Sequence, residues 1–299
     1  MKIFHSQYGV GSASEPFLDG GIKIVQVEFA CGVRKFIYPD AFNSGIIAEL
    51  DSKKMQSINN THDDSFKLRL HNLMKKYVED FKEKVNFPFV VSNSIPIIWF
   101  GDINEYIKSK LKVVTIGLNP SDKEFPVENG RFNFVEFDED VTGGSLRNLE
   151  ETLNQYFYKN PYKWFNKYDR ILSFVNSSYH GENGSAIHID VCSAIATNPT
   201  WGNLSKKEKK AIENEALFKE LFLLLEPNLA FASINRSIFE RLFYDWNLVL
   251  TENFPGNNYI DIYKMGESVI INGTNMKGVP FGGIREECVK SVICKMLKK

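Results

Sequence analysis

The pattern of apolar and polar positions changes character near residue 95. Before that point, Ile22 to Phe29 alternates, with Ile22, Ile24 and Val27 among its apolar positions, and predicts a half-buried strand. Ile37 and Tyr38 fit a second strand, and Asn59 to Asp64 is polar and turn-like. Phe66, Leu70, Leu73, Met74, Tyr77, Val78 and Phe81 then share one stripe of helical period, which predicts a helix from Ser65 to about Val85. Residues 1–95 are therefore expected to form a strand-and-helix elaboration, and they carry no chemical motif.

Residues 96–299 read differently. The run LKVVTI, Leu111 to Ile116, is a buried-type strand that opens into Gly117-Leu118-Asn119-Pro120-Ser121. A polar loop through Arg131, Phe132 and Phe134 leads to Thr142-Gly143-Gly144, and helices are predicted over Ser145 to Phe157 and Tyr162 to Phe174. Ala186 to Val191 is the next strand. Ser205 with Glu208 three residues on has the capping-box pattern and starts a helix reaching Leu225. Pro227 to Ile234 reads as turn then strand, and Arg236 to Phe243 as helix. Short strands follow over Trp246 to Leu250, Tyr259 to Ile262 and Ser268 to Ile271, with a last helix from near Gly283. This alternation predicts an α/β fold with a mostly parallel sheet and helices on both faces. The handedness of such crossovers brings the strand-end loops to one edge, where ligands bind. Those loops begin at Asn119, Asp190, Asn235 and Asn272.

Composition narrows the classes. With 43 % hydrophobic residues in 299, the chain can bury a core, which excludes global disorder. Acidic and basic residues number 37 and 36, so the overall field selects no partner and any basic groove is local. The opening residues lack the apolar core of a signal peptide, and no apolar run is long enough to span a membrane. The four cysteines, Cys31, Cys192, Cys288 and Cys294, form no CxxC pair and are expected to be reduced thiols in a cytoplasmic protein. Five scattered histidines without HExxH give no support for a metal centre, and no cofactor is expected.

The candidate chemistry lies in the strand-end loops. GLNPS lacks the spacings of a P-loop, a dinucleotide fingerprint and a nucleophile elbow. What it offers is an asparagine held at the mouth of a turn that Pro120 stiffens, either bonding a water and a ligand or capping its own turn. Phe132 and Phe134 can stack on a planar ligand or pack in the core, and Arg131 can meet a phosphate. In HIDVCSA, Asp190 is costly unless bonded or exposed at the mouth, and His188 shares its face. Asp190 can read an N–H group or cap backbone, and His188 can serve the site or sit satisfied in the core. The polar run Asn272-Gly273-Thr274-Asn275 can touch a base, a sugar or only solvent. Met276 and Lys277 beside it suit a wedge and a phosphate contact. The lysines around Glu208 read as a solvated helix face.

KVVTIGLNPS (residues 112–121), the preceding Phe100-Gly101, the Arg131/Phe132 loop, HIDVCSA and the polar loop near residue 272 together resemble the uracil-DNA glycosylase superfamily over residues 95–299. The asparagine in the first motif is similar to that of its mismatch-specific and single-strand-selective branches. The resemblance implies a three-layer α/β/α fold that turns a nucleotide out of DNA. It implies that Asn119 positions water, that Phe132 or Phe134 stacks on the base and that Asp190 reads the base edge with His188. Asn272 and Thr274 then fall at the base, and Ser121, Arg131, Asn275 and Lys277 at the DNA backbone. Asp122 joins Asp190 as a carboxylate near the sugar cation. Two positions depart from the family: the closing His-Pro-Ser motif is absent, and an aspartate stands where an asparagine is usual for uracil. A carboxylate prefers N–H donors, so the expected substrate is a cytosine-like, altered or bulky pyrimidine. The expected enzyme is a monomeric, metal-free, monofunctional glycosylase, in repair or in defence against phage with modified DNA. A nucleoside or nucleotide N-glycosidase and a non-catalytic module that binds modified DNA are the alternatives.

Overall fold

The structure is a computed structural model. It describes the chain except residues 1, 6–8, 30–31, 44–46, 50–51, 92, 126–145, 160, 181–183, 277 and 298–299. The chain divides into two compact units, Met1–Leu68 and Arg69–Lys299. The first holds an antiparallel sheet of β1 (Lys2–His5), β2 (Gly9–Ala13), β3 (Phe17–Asp19), β4 (Ile22–Phe29), β5 (Gly32–Ile37) and β6 (Ile47–Glu49), with a short α1 (Asp40–Asn43). The order is β3-β4-β2-β1-β6, and β5 pairs with β4. Val25, Val27 and Phe29 of β4 pack with Ile3, Ala13, Ala41 and Ile47 in its core. Helix α2 (Ser52–Lys84) runs through the division between the units. It starts earlier than the apolar stripe predicts. The polar stretch 59–64, expected as a turn, contains neither glycine nor proline and continues the helix.

The second unit is a three-layer α/β/α arrangement. Its sheet order is β10-β11-β12-β9-β7-β8, built from β7 (Val113–Gly117), β8 (Ala186–Asp190), β9 (Leu229–Ala232), β10 (Asn247–Phe254), β11 (Asn258–Met265) and β12 (Ser268–Gly273). The pairs β12–β9, β9–β7 and β7–β8 are parallel, and β10–β11–β12 is antiparallel. Strands β7, β8 and β9 are mostly apolar because helices cover both faces, and all their residues but Gly117 and Asp190 are buried. Around the sheet lie α3 (Ile103–Lys108), α4 (Leu146–Lys159), α5 (Asn166–Leu172), α6 (Lys206–Ile212), α7 (Glu215–Leu225), α8 (Arg236–Leu242) and α9 (Glu286–Leu297). A small hairpin, β13 (Asn275–Met276) and β14 (Val279–Pro280), follows β12.

Two sequence expectations are refined. The helix expected from Ser205 to Leu225 is two helices. Its capping box forms as predicted, but Asn214 starts α7 afresh by accepting the Leu217 N–H, and its amide also donates to Asp80 at 2.7 Å. The strand expected to end at Ile271 runs on to Gly273, in register with β11 through Ile260.

The segment before α3 fixes the outer side of β8. Phe100 exchanges both backbone hydrogen bonds with His188, at 2.8 and 2.9 Å. Gly101 follows with φ +114, a conformation that favours glycine. Asn154 of α4 anchors this segment, because its buried Oδ1 accepts both the Trp99 indole N–H and the Ile103 backbone N–H at 3.1 Å. An Asn154→Leu variant keeps the volume but strands two buried donors. It is expected to lose about 2–4 kcal/mol in urea unfolding, against about 1 kcal/mol for Ser205→Ala, which removes only an exposed cap.

Candidate functional site

A cleft of about 370 Å³ opens beside the carboxyl ends of β7 and β8. Its size falls in the range of small-molecule sites. Asn119, Ser121, His188, Asp190 and Asn275, all singled out in the sequence, line it. Its wall is aromatic, with Phe100, Tyr162, Trp164, Phe165, Tyr168 and Trp201.

The two loops at the mouth are joined by their backbones. Val191 N–H donates to the Gly117 carbonyl at 3.0 Å, Cys192 N–H to Leu118 at 2.9 Å and Thr197 N–H to Pro120 at 3.2 Å. Asn119 adds a side-chain tie: its Nδ2 donates to the Ile195 carbonyl at 3.3 Å and to Thr197 Oγ1 at 3.0 Å. A backbone carbonyl can only accept, so the amide nitrogen faces it and the orientation of the carboxamide is set. Its Oδ1 is left as an acceptor that is not buried.

Asp190 stands opposite Gly117 in the parallel register. Its side chain and that of His188 are buried, with Asp190 Oδ1 3.5 Å from His188 Nε2. Gly117 makes this possible. A Cβ there would collide with Asp190 Oδ1 and fall 2.7 Å from His188 Nε2. The rings of Phe100, Trp164, Phe165 and Tyr168 surround the imidazole, at centroid separations of 5.6, 5.5, 5.1 and 6.0 Å. Burial, with the Asp190 charge adding to it, pushes the Tyr168 phenol far above its ordinary value, and the same two causes raise the Cys192 thiol to about 12.

The other sequence candidates either lie off the cleft or are engaged by the protein's own groups. Asp122 is on a short 3-10 turn, Asp122–Glu124, and pairs with Lys123 at 3.4 Å. The carboxylate of that turn that lines the cleft is Glu124, which is buried and accepts a hydrogen bond from the Tyr156 hydroxyl. Ser121 Oγ caps the turn by accepting the Lys123 N–H. Asn272 sits inside β12, fully buried, with Oδ1 accepting the Ile234 N–H at 3.2 Å, and it does not line the cleft. Thr274 Oγ1 is taken up by the Tyr259 backbone, accepting its N–H at 2.8 Å. Asn275 lines the cleft with both ends of its amide committed, Nδ2 to the Ser233 carbonyl and Oδ1 to the Gly278 N–H. Arg131, Phe132, Phe134 and Lys277 lie outside the described residues.

The sequence reading missed the aromatic wall. Trp164 and Phe165 fall within a stretch read only as a helix, and Trp201 falls between the predicted strand ending at Val191 and the helix starting at Ser205. The wall is tied to the hairpin: Trp164 Nε1 donates to the Gly278 carbonyl at 2.9 Å and Lys167 Nζ to the same oxygen at 3.1 Å. Among the described residues no group of three or more His, Cys, Asp or Glu can hold a metal ion, and no helix is long and apolar enough to cross a membrane. Cys192, Cys288 and Cys294 are free thiols, while Cys31 lies outside the described residues. Comparison with protein-family models and with curated proteins gives no match.

Two outcomes follow from this geometry. Gly117→Ala overpacks the β7–β8 contact and is expected to cost about 1–3 kcal/mol in denaturant unfolding, with Asp190 displaced. A thiol raised to about 12 is almost wholly protonated at pH 8, so iodoacetamide should label Cys288 and Cys294 in the folded protein well before Cys192. Mass spectrometry of the labelled peptides reads the order.

Proposed function

We propose that this protein is a monofunctional DNA glycosylase that hydrolyses the N-glycosidic bond of a pyrimidine turned out of the DNA stack and leaves an abasic site. The observation that carries this reading is the convergence of Asn119 and Asp190 on one aromatic-walled cleft at the ends of adjacent parallel strands. The resemblance of GLNPS and HIDVCSA to the uracil-DNA glycosylase superfamily supports it.

The chemistry asks little base strength of the protein. As the bond from C1′ to the base lengthens, its electron pair leaves with the base and the sugar becomes oxocarbenium-like. Water then adds to C1′, and the proton it loses ends on the departed base, which carries the electron pair of the broken bond. Asn119 Oδ1, open beside a tied amide nitrogen, accepts a hydrogen bond from that water and holds it without deprotonating it. The rings of Trp164 and Trp201 provide stacking surface for the extruded base. Asp190 is an acceptor, so it takes an exocyclic amine and repels a carbonyl oxygen. The preferred base is therefore of cytosine type, and the roomy cleft tolerates a substituted ring. Defence against viruses with modified DNA is the setting that suits such a substrate. The one lysine lining the cleft among the described residues, Lys123, pairs with Asp122, and strand cleavage through a Schiff base is not part of this reading.

The test is mass spectrometry of bases released from plain, uracil-containing and modified DNAs, with alkali-labile sites scored in parallel. Asn119→Ala should fold and bind DNA but release base about a hundredfold more slowly or worse. Asp190→Asn should shift preference from amino- to oxo-pyrimidines. Equal release from free nucleosides, or DNA binding that leaves no abasic site, would overturn the proposal.

A further inference from the structure

A row of buried hydroxyls lies behind Asp190 and takes no part in the reading above. Tyr179 OH is 2.5 Å from Thr115 Oγ1, and Thr115 Oγ1 is 2.7 Å from His188 Nδ1. His188 Nε2 then reaches to 3.5 Å from Asp190 Oδ1. Thr115 is fully buried on β7, and Tyr179 and His188 are nearly so. Each hydroxyl has one proton, so the protons along this row must run in one direction.

We infer that Tyr179 and Thr115 form a hydrogen-bond relay that fixes His188 as its Nε2–H tautomer, and that His188 thereby holds the Asp190 carboxylate in the cleft. The direction is set at both ends. At the cleft end, a bare Nε2 would put a lone pair against a carboxylate, whereas Nε2–H offers it a proton. At the inner end, burial above all keeps the Tyr179 phenol protonated, well above its ordinary value, so it donates to Thr115. Thr115 then gives its own proton to His188 Nδ1 at 2.7 Å in preference to the Ile187 carbonyl, its other acceptor, at 3.5 Å. Reversed, the row would leave Tyr179 with its proton and no acceptor for it in the row. The aromatic cage around the imidazole and the missing side chain at Gly117 keep the ring and the carboxylate in reach of each other.

The relay residues touch no substrate and are positioning residues. The value of holding Asp190 rests on the glycosylase reading, whereas the tautomer does not, so the two are tested separately. Long-range 15N–1H spectra of the full-length protein report the state of each imidazole, and His188→Gln identifies the His188 signals among the five histidines. The expected pattern is a neutral ring with the proton on Nε2. Thr115→Val, nearly isosteric, should convert His188 to a tautomer mixture, and Thr115→Ser should restore the single form. If Thr115→Val does not fold, Tyr179→Phe replaces it and is expected to have the same effect, since Thr115 can then turn its proton to the Ile187 carbonyl at 3.5 Å. On a DNA from which the wild type releases base, Thr115→Val should lower kcat about tenfold with little change in KM, and Thr115→Ser should recover it. An Nδ1–H or doubly protonated His188 in the wild type, or an unchanged tautomer in both variants, would overturn the relay. The expected spectra with no base release from any DNA would leave the relay standing and remove the glycosylase.

Discussion

The close approach of β7 and β8 at their carboxyl ends is the constraint on which the rest of the site depends. Gly117 has no side chain there, and His188 and Asp190 occupy the space that one would fill. Backbone pairing then continues past the strands through Gly117, Leu118 and Pro120, so the two loops run side by side before any side chain is considered. The tie from Asn119 to Ile195 and Thr197 is the last rung of that ladder. Each rung contributes on the order of 1 kcal/mol, but together they convert a flexible asparagine into one with a single useful orientation.

A buried carboxylate is expensive, and its surroundings here offset that cost only in part. Tyr168, Tyr179 and Cys192 all lie within the influence of the Asp190 charge, and for all three that charge adds to burial in keeping the group protonated. His188 Nε2 lies 3.5 Å from Asp190 Oδ1, near enough to orient the carboxylate and too far to saturate it. Asp190 thus retains capacity for a further N–H donor on the side that lines the cleft. An asparagine at this position would offer both a donor and an acceptor and would need no such supply.

Much of the fold was legible in the chain. Buried parallel strands such as Val113 to Gly117 show as apolar runs, and caps such as Ser205 with Glu208 form as the local pattern dictates. Asn119, His188 and Asp190 were also legible, because residues at the ends of such strands collect at one edge. Register was not. Asn272 reads as the start of a loop, yet two more residues of pairing with β11 pull it into the sheet and bury it. Asp122 and Glu124 are equivalent on paper, and only the 3-10 turn decides that Glu124 faces the cleft. The aromatic wall was invisible for a similar reason. Among 24 phenylalanines and many other rings, nothing local separates a Trp164 or a Trp201 at a cleft from one in a core.

The hairpin after β12 has a different role from the one its polar residues suggest. Asn275 and Thr274 spend their hydrogen-bonding groups on the protein, so neither brings a free polar group to the cleft. Its main chain matters instead. The Gly278 carbonyl holds both Trp164 and Lys167, and the Pro280 carbonyl holds Arg170, so three side chains from one short stretch fasten the hairpin to the aromatic wall. Under the proposed function, recognition of a ring divides between the wall and the strand ends. The aromatic wall gives a planar surface whose position the hairpin sets, and the β7 and β8 ends supply the polar groups that read its edge. In that reading selectivity among planar ligands rests on Asp190 and Asn119, since stacking alone accepts any flat ring.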